Sequence, residues 1–566
     1  MSLPLLAVLV IAVLVLGYRF YGGFIARQYR LDPDAQTPAE KYQDGVDFVP
    51  TKPFYLLGQH FSAIAAAGPI AGPILACKDF GWLPCILWIA FGVVFIGAVH
   101  DFSTLVASVR HGGRSIAEVV RQNLGQRAWI AILMFIYLAL IYVIVAFVDV
   151  TATTFVSGDA DTASLGFRFN PGGAVAMSSA LYLGLALVMG IVDRVLHPPL
   201  WLQTVIFVPL TLVAVWAGTQ LSTVLVLDWQ TWTILILAYC FVASLSPMWL
   251  LLQPRGYLGG FVLYLALAAG IIGIFFGGFD IQQSAFKGWN AGSGGMGMLF
   301  PFLFVTIACG ACSGFHGLVC SGTTSKQISR ETHCHPIGYG AMLLEAFVAL
   351  IALATIMIAS NADTKGMGPG AIYGQGLGRF VTVLVGDDHL LFATTFGAMA
   401  FSTFVFDTID VATRLGRYLL QELFGVRGLV SSIVTTAVTC LVPMAFLLAT
   451  KAGSYRLFWS LFGTSNQLLA GLSLLAISVW LRREGRRAWY TLAPMAFVMV
   501  VTLVALALQA RAAIEALQGS PGTVVVINGA VSVVLIGLAG LLMYYGARAL
   551  AATRDAPRAP DPATPR

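Results

Sequence analysis

The residues of this chain that could do chemistry sit mainly where apolar runs are interrupted. His60 lies in residues 58–76, an apolar stretch broken by Gly68, Pro69, Gly72 and Pro73. His316 lies in residues 306–317, just after Ser313, Gly314 and Phe315. An imidazole titrates near neutrality, so either histidine could move a proton or hold a carboxylate; equally, each could be a hydrogen-bonded structural residue at a helix end. Asp101 follows His100, with Thr104 beyond it, and reads as a relay carboxylate or as a cap paired with Arg110 or Arg114. Glu345 is the only charge between Gly338 and Ile358, and a lone membrane carboxylate is a functional candidate. Thr403, Asp407, Asp410, Arg414 and Arg417 are spaced by 4, 3, 4 and 3, which puts all five on one helix face. An aspartate at the bilayer centre costs about 2.5–3.5 kcal/mol, so this pair implies a wet cavity or an ion-pair network. Asp407, with Thr403 one turn before it, fits a cation-coupling site or a structural clamp, and Arg414 is the expected partner of Asp410. Asn466 and Gln467 either face the core or join helices by hydrogen bonds.

The two interrupted stretches set the framework for these groups. Proline has no N–H and clashes with the preceding turn, and glycine weakens the helix further. In hydrocarbon the freed backbone groups are tolerated only against protein or a cavity, so both stretches should line an interior site. Half-helix N-termini suit a substrate carboxylate, and freed carbonyls suit Na⁺ or a protonated group. The expected substrate set is His60, Gly68, Pro69, Gly72, Ser313, Gly314, Phe315 and His316. The expected ion-coupling set is Asp101, Glu345, Thr403 and Asp407. The competing reading is that these glycines and prolines only permit close packing. Cys309, Cys312, His316 and Cys320 have the look of a metal set, as do residues 333–335. They lie on a broken membrane span with no second Cys-x-x-Cys, so no metal or other cofactor is expected beyond a coupling H⁺ or Na⁺. The absence of a Walker-type phosphate loop argues against an ATP-driven pump.

What must position these groups is a bundle of membrane helices. The chain has 566 residues, 58% hydrophobic and 10% charged, against about 25% charged in soluble domains. Runs of roughly 20 apolar residues recur, so the fold class is an all-α polytopic membrane protein. About 15 segments are expected, centred near Val10, Ala66, Val94, Leu140, Leu183, Val208, Cys240, Ala266, Cys309, Leu350, Met399, Ala437, Leu469, Val501 and Val534. With the N-terminus outside, 24 of the 32 Lys and Arg fall on the inner side, and the bias alternates loop by loop. That places the loop from Arg19 to Pro53 and the C-terminus in the cytoplasm. It also makes the two broken spans antiparallel. The net charge of +6 suits loops beside anionic lipid, so the partners are a bilayer and a small molecule, not nucleic acid. The oligomeric state is open. Residues 370–385, Gly-rich and interrupted by Arg379, read as a re-entrant or interfacial segment on the outer side.

Several of these stretches resemble the carbon starvation protein A family. They are residues 44–50, Gly58-Gln59-His60-Phe61 with residues 65–69, and residues 299–304 with 306–310. Residues 313–316, 321–324, 337–342 and 461–470 extend the match. The chain departs from the family pattern at Gln59, where His is usual, at the His100–Asp101 step, where Gln precedes the Asp, and around residues 401–407. The resemblance implies a bacterial inner-membrane carrier for peptides or pyruvate, linked to growth under nutrient limitation. It also implies a leucine-transporter-like inverted-repeat core with extra helices, in which the helix two after the second broken one lends Ser or Thr to a sodium site, a role for Ser402 and Thr403 that adds Ser402 to the expected ion-coupling set.

The whole chain, 1–566, is therefore expected to be one integral membrane domain. Residues 1–53 would form a first helix and cytoplasmic loop, 54–480 the transport core, 489–548 additional C-terminal helices and 554–566 a cytoplasmic tail. The expected function is cation-coupled uptake of a small carboxylate-bearing nutrient by alternating access, not catalysis. The alternatives are an intramembrane enzyme using His and Cys, and a nutrient sensor that binds without transporting.

Overall fold

The computed structural model describes residues 2–44, 48–65, 67–156, 169–291, 297–518 and 522–552. The expected tail 554–566, Ala66, Arg168 and residues 45–47 of the 44–50 motif lie outside the described residues. The described chain is helical, and its only β-pairing is two isolated bridges, Thr51 with Ile328 and Asn290 with Met298. Among the described residues twelve helices are long and apolar enough to cross a membrane, and each contains one expected centre. The other three centres fall outside these twelve. Ala66 is not among the described residues, and the helices before and after it, Pro53–Ile64 and Gly68–Phe80, meet at a 45° bend. Cys240 sits in the 17-residue helix Trp229–Leu245. Cys309 lies between Leu299–Thr306 and Gly314–Gly322.

Two expectations about the elements are corrected. The first span does not stop before Arg19 but continues to Tyr29. Arg19 lies exposed on the helix while Ile25 and Tyr29 are buried, so one face goes on packing as the other turns polar. Residues 370–385 are not an interfacial segment. They belong to the helix Pro369–Val385, buried against Ala341–Met357 and Leu390–Phe424. Its glycines allow that contact: a Cβ at Gly374 would stand 2.8 Å from the Ala398 methyl.

The helix Tyr455–Arg483 runs through the centre of the bundle, wholly buried over its apolar window, and packs on Gln126–Phe155, Trp489–Ala516 and Gly314–Gly322. Wide, π-type turns span Trp88–Gly97, just before His100 and Asp101. Such turns free backbone carbonyls, and Tyr339 satisfies one by donating its hydroxyl to the Val94 carbonyl at 2.7 Å. The helix Leu390–Phe424 does not meet the first broken span with its Thr403–Asp407 face. Leu252–Phe276 stands between them, with Gly259 turned to Asp407 and Thr403 and Gly260 turned to Ser62.

Candidate functional site

The two broken spans cross at their breaks. A Cβ on Gly68 would collide with Cys309, and one on Gly72 would stand 2.5 Å from the Thr306 carbonyl oxygen and 3.3 Å from Ile307 Cα. Pro69 Cα lies 3.6 Å from the place a Cβ on Gly310 would take. Only glycine lets two backbones come this close. The spans run in opposite directions, since Thr51, entering the first, bridges Ile328, which follows the second.

The central helix holds the second break open. Asn466 Oδ1 accepts the Phe315 N–H at 2.8 Å, and its Nδ2 donates to Ser313 Oγ at 3.0 Å and to Cys309 Sγ at 3.3 Å. Trp459 donates to the Thr306 carbonyl at 3.1 Å and Gln467 to the Phe304 carbonyl at 3.0 Å. Asn466 and Gln467 therefore join helices, and they supply partners to the backbone groups that the break releases.

Beside this crossing four titratable side chains form a buried row. His100 Nδ1 lies 2.7 Å from Asp101 Oδ1, and His316 Nδ1 lies 2.9 Å from Asp101 Oδ2. An ionised Asp101 only accepts, so both rings present Nδ1–H to it. His316 Nε2 is 3.2 Å from Glu345 Oε2. That contact is an ion-pair distance without hydrogen-bond alignment, because neither Glu345 oxygen has a hydrogen-bond partner among the described residues. His100 Nε2, at the other end of the row, is also unpartnered. All four residues are buried to 1% exposure or less. Asp101 is thus tied to the two histidines, not to Arg110, which pairs with Glu331 at 2.6 Å, nor to Arg114, which pairs with Glu118 at 3.0 Å. His60, on the first span, is bonded through Nδ1 to Thr324 at 2.8 Å, with Cys320 Sγ 3.8 Å from its Nε2. The structure accordingly brings His60, Gly68, Pro69, Gly72, Ser313, Gly314, Phe315, His316, Asp101 and Glu345 around the two breaks.

The remaining expected residues form a second cluster. Arg255, fully buried, donates from Nε to Asp407 at 2.8 Å and pairs through Nη1 with Asp410 at 2.5 Å. Tyr239 donates to Asp410 at 2.9 Å and accepts from Arg255. The expected Asp410–Arg414 clamp is corrected. Arg414 instead donates to the Ala243 and Ser246 carbonyls at 2.7 and 3.1 Å, at the negative end of Trp229–Leu245. Its chain reaches the neighbouring helix end, while Arg255 meets both carboxylates directly. Ser402 bonds Ser179 at 2.7 Å, and Thr403 donates to Met399 Sδ at 3.2 Å.

The sequence reading singled out neither Arg255 nor Asp149. Asp149 is the sole acid of Gln126–Phe155, a signal of the same kind that marked Glu345. It is buried and accepts the Trp229 indole N–H at 2.8 Å and the Gly453 N–H at 3.3 Å. Arg255 carried a weaker signal, a cation just inside an apolar run. A cavity of about 750 Å³ opens at the far end of Gly314–Gly322, lined by Ser321, Gly322, Arg110, Arg114, Lys326 and Phe48 among others.

A family model described as Carbon starvation protein CstA matches residues 3–374 and 358–505. The chain is 32% identical to the peptide transporter CstA of Escherichia coli strain K12, over 88% of this chain and 79% of that protein. It is 31% identical to the pyruvate/proton symporter BtsT of the same strain, over 88% and 80%. It is 33% identical to the peptide transporter CstA of Bacillus subtilis strain 168, over 86% and 87%. Among solved structures, an Eremococcus coleocola manganese transporter aligns at 12% identity and a TM-score of 0.45, over 88% of this chain and 96% of that one.

Proposed function

The chain belongs to the carbon starvation protein CstA family, and from that premise we propose that it is a secondary carrier taking up a small carboxylate-bearing nutrient, a peptide or pyruvate, coupled to H⁺, with Na⁺ as the alternative ion. It is a multi-pass membrane transporter and not an enzyme. The observation that carries the finer reading is the crossing of two broken spans beside a histidine set between two carboxylates.

The half-helix N-termini at Gly68 and Gly314 offer partial positive charge to a substrate carboxylate. The row Asp101–His316–Glu345 supplies the coupling. With His316 protonated and both carboxylates ionised, the group carries net negative charge inside hydrocarbon, where it repels an incoming anion. One further proton, held on this row, makes it neutral, so proton and carboxylate are admitted together. Ser402, Thr403 and Asp407 form a second candidate coupling group apart from that row, where the Asp407 side chain keeps 24% of its surface exposed. The transport core is residues 54–480, an inverted-repeat assembly within about 15 segments, and the helices of 489–548 brace it. The N-terminus faces outward and the C-terminus faces the cytoplasm of a bacterial inner membrane. The 750 Å³ cavity then lies at the basic, cytoplasmic end and suits substrate release.

Reconstitution into liposomes tests this. Labelled pyruvate or dipeptide should accumulate when the outside is made acidic, and a protonophore should abolish accumulation. Accumulation driven by a sodium gradient alone would replace H⁺ with Na⁺. Binding without accumulation under either gradient would turn the carrier into a sensor.

A further inference from the structure

We propose that a basic pocket between the last helix and the central helix binds the phosphate headgroup of an anionic phospholipid, and that the bound lipid steadies the floor of the larger cavity. The pocket is a cavity of about 370 Å³ lined by Gln122, Asn123, Gly125, Arg483, Tyr545 and Arg548 among others. Arg483 ends Tyr455–Arg483, and Arg548 lies in the last turns of Thr523–Ala552. Both arginines are exposed, and neither has a carboxylate within ion-pair distance among the described residues. Arg483 donates to the Gln122 carbonyl at 3.2 Å, and Arg548 donates to the Tyr544 hydroxyl at 3.3 Å. The acid of this turn, Glu484, is taken by the Trp480 indole at 2.8 Å and lies 3.5 Å from Arg486. The pocket therefore holds two cationic groups with uncommitted N–H donors, the geometry that suits a phosphate.

Its position favours a lipid over free phosphate. Leu541, Tyr544 and Arg548 follow one another at spacings of 3 and 4, so they share a face of the last helix. Leu541 and Tyr544 are exposed, which leaves an apolar track for an acyl chain leading up to the guanidinium. Basic pockets between membrane helices on the cytoplasmic side have the chemistry to hold anionic headgroups. Gln122 lines both this pocket and the 750 Å³ cavity. It lies near the end of the short helix Ile116–Leu124, whose Glu118 faces the larger cavity and holds Arg114 and Arg121 at 3.0 and 3.3 Å. A headgroup clasped beside residues 122–125 fixes that helix from behind.

The binding half does not depend on the cargo; the cavity half rests on the carrier reading. The test uses the full chain in detergent, followed by thermal unfolding while cardiolipin, phosphatidylglycerol, phosphatidylcholine or inorganic phosphate is added at matched ionic strength. The two anionic lipids should raise the midpoint saturably, and phosphatidylcholine and phosphate should not. Arg483→Gln with Arg548→Gln should weaken anionic-lipid binding about fivefold per arginine, while the paired Lys variants and Arg511→Gln, at the other end of the bundle, bind as the parent does. An equal shift with phosphate, or unchanged lipid binding by the double Gln variant, overturns the lipid site. In liposomes, uptake should fall when phosphatidylcholine replaces anionic lipid, and the double Gln variant should be insensitive to that change. Lipid-independent uptake by the parent, with binding intact, overturns the cavity half alone. No uptake in any lipid, with binding intact, strikes the carrier reading and with it the cavity half, and leaves the lipid site standing.

Discussion

Gly72→Ala should lower uptake steeply without unfolding the protein. The added methyl would stand 2.5 Å from the Thr306 carbonyl oxygen, about 1 Å inside van der Waals contact. That oxygen cannot swing aside, because it is backbone and accepts the Trp459 N–H at 3.1 Å. The two broken spans must separate where they cross. Overpacking of this size costs about 1–3 kcal/mol, which corresponds to about a 5- to 150-fold loss of the crossed arrangement. The assay is initial uptake in liposomes per mole of monodisperse protein, with size-exclusion behaviour and thermal midpoint as the folding check. Gly184→Ala is the matched control, since nothing lies within 4 Å of its Cβ position and it lines neither break nor cavity. Uptake by Gly72→Ala at the parental rate, in folded protein, would refute the claim that the crossing is part of the transport cycle.

Other substitutions probe the groups around it. Glu345→Gln keeps shape and removes one charge from the row, so gradient-driven accumulation should be lost while counterflow exchange of labelled substrate persists; normal accumulation would remove Glu345 from coupling. Asn466→Ala leaves the Phe315 N–H without its partner, at a cost of about 1–3 kcal/mol, and should lower both thermal midpoint and uptake; an unchanged midpoint would show that the amide is not holding the break. Arg255→Met strands Asp407 and Asp410 against one another, and loss of one partner of a buried ion pair costs about 3–5 kcal/mol. A large fall in thermal midpoint is expected, partly restored by adding Asp410→Asn, and a midpoint equal to the parent's would show that the pair is idle. A single cysteine at Gln36 should resist a membrane-impermeant thiol reagent in intact cells, and labelling there would invert the topology.

The sequence was enough to establish a membrane bundle, because roughly 20-residue apolar runs have few other uses. It also located both breaks, because proline and glycine act on the backbone within a turn of themselves. The shared face of Asp407 and Asp410 followed from their spacing alone. Local rules end there. Helix periodicity says which residues look the same way but not what they look at. Arg255 is 152 residues from Asp407, and its place beside both carboxylates depends on Gly259 letting Leu252–Phe276 come close to Leu390–Phe424. Asp101 and His316, 215 residues apart, were separate candidates in the sequence. They become one row with His100 and Glu345 only because Trp82–Arg110, the second break and Ala341–Met357 converge. Asn466 shows the same limit from the other side: its amide was visible, but its task appears only when the first turn of Gly314–Gly322 is laid against it. Local chemistry thus determined where helices start, break and turn polar, and packing between distant helices decided which buried charges meet. A buried charge takes the partner that tertiary geometry brings within reach, and spacing along one helix carries no record of that partner.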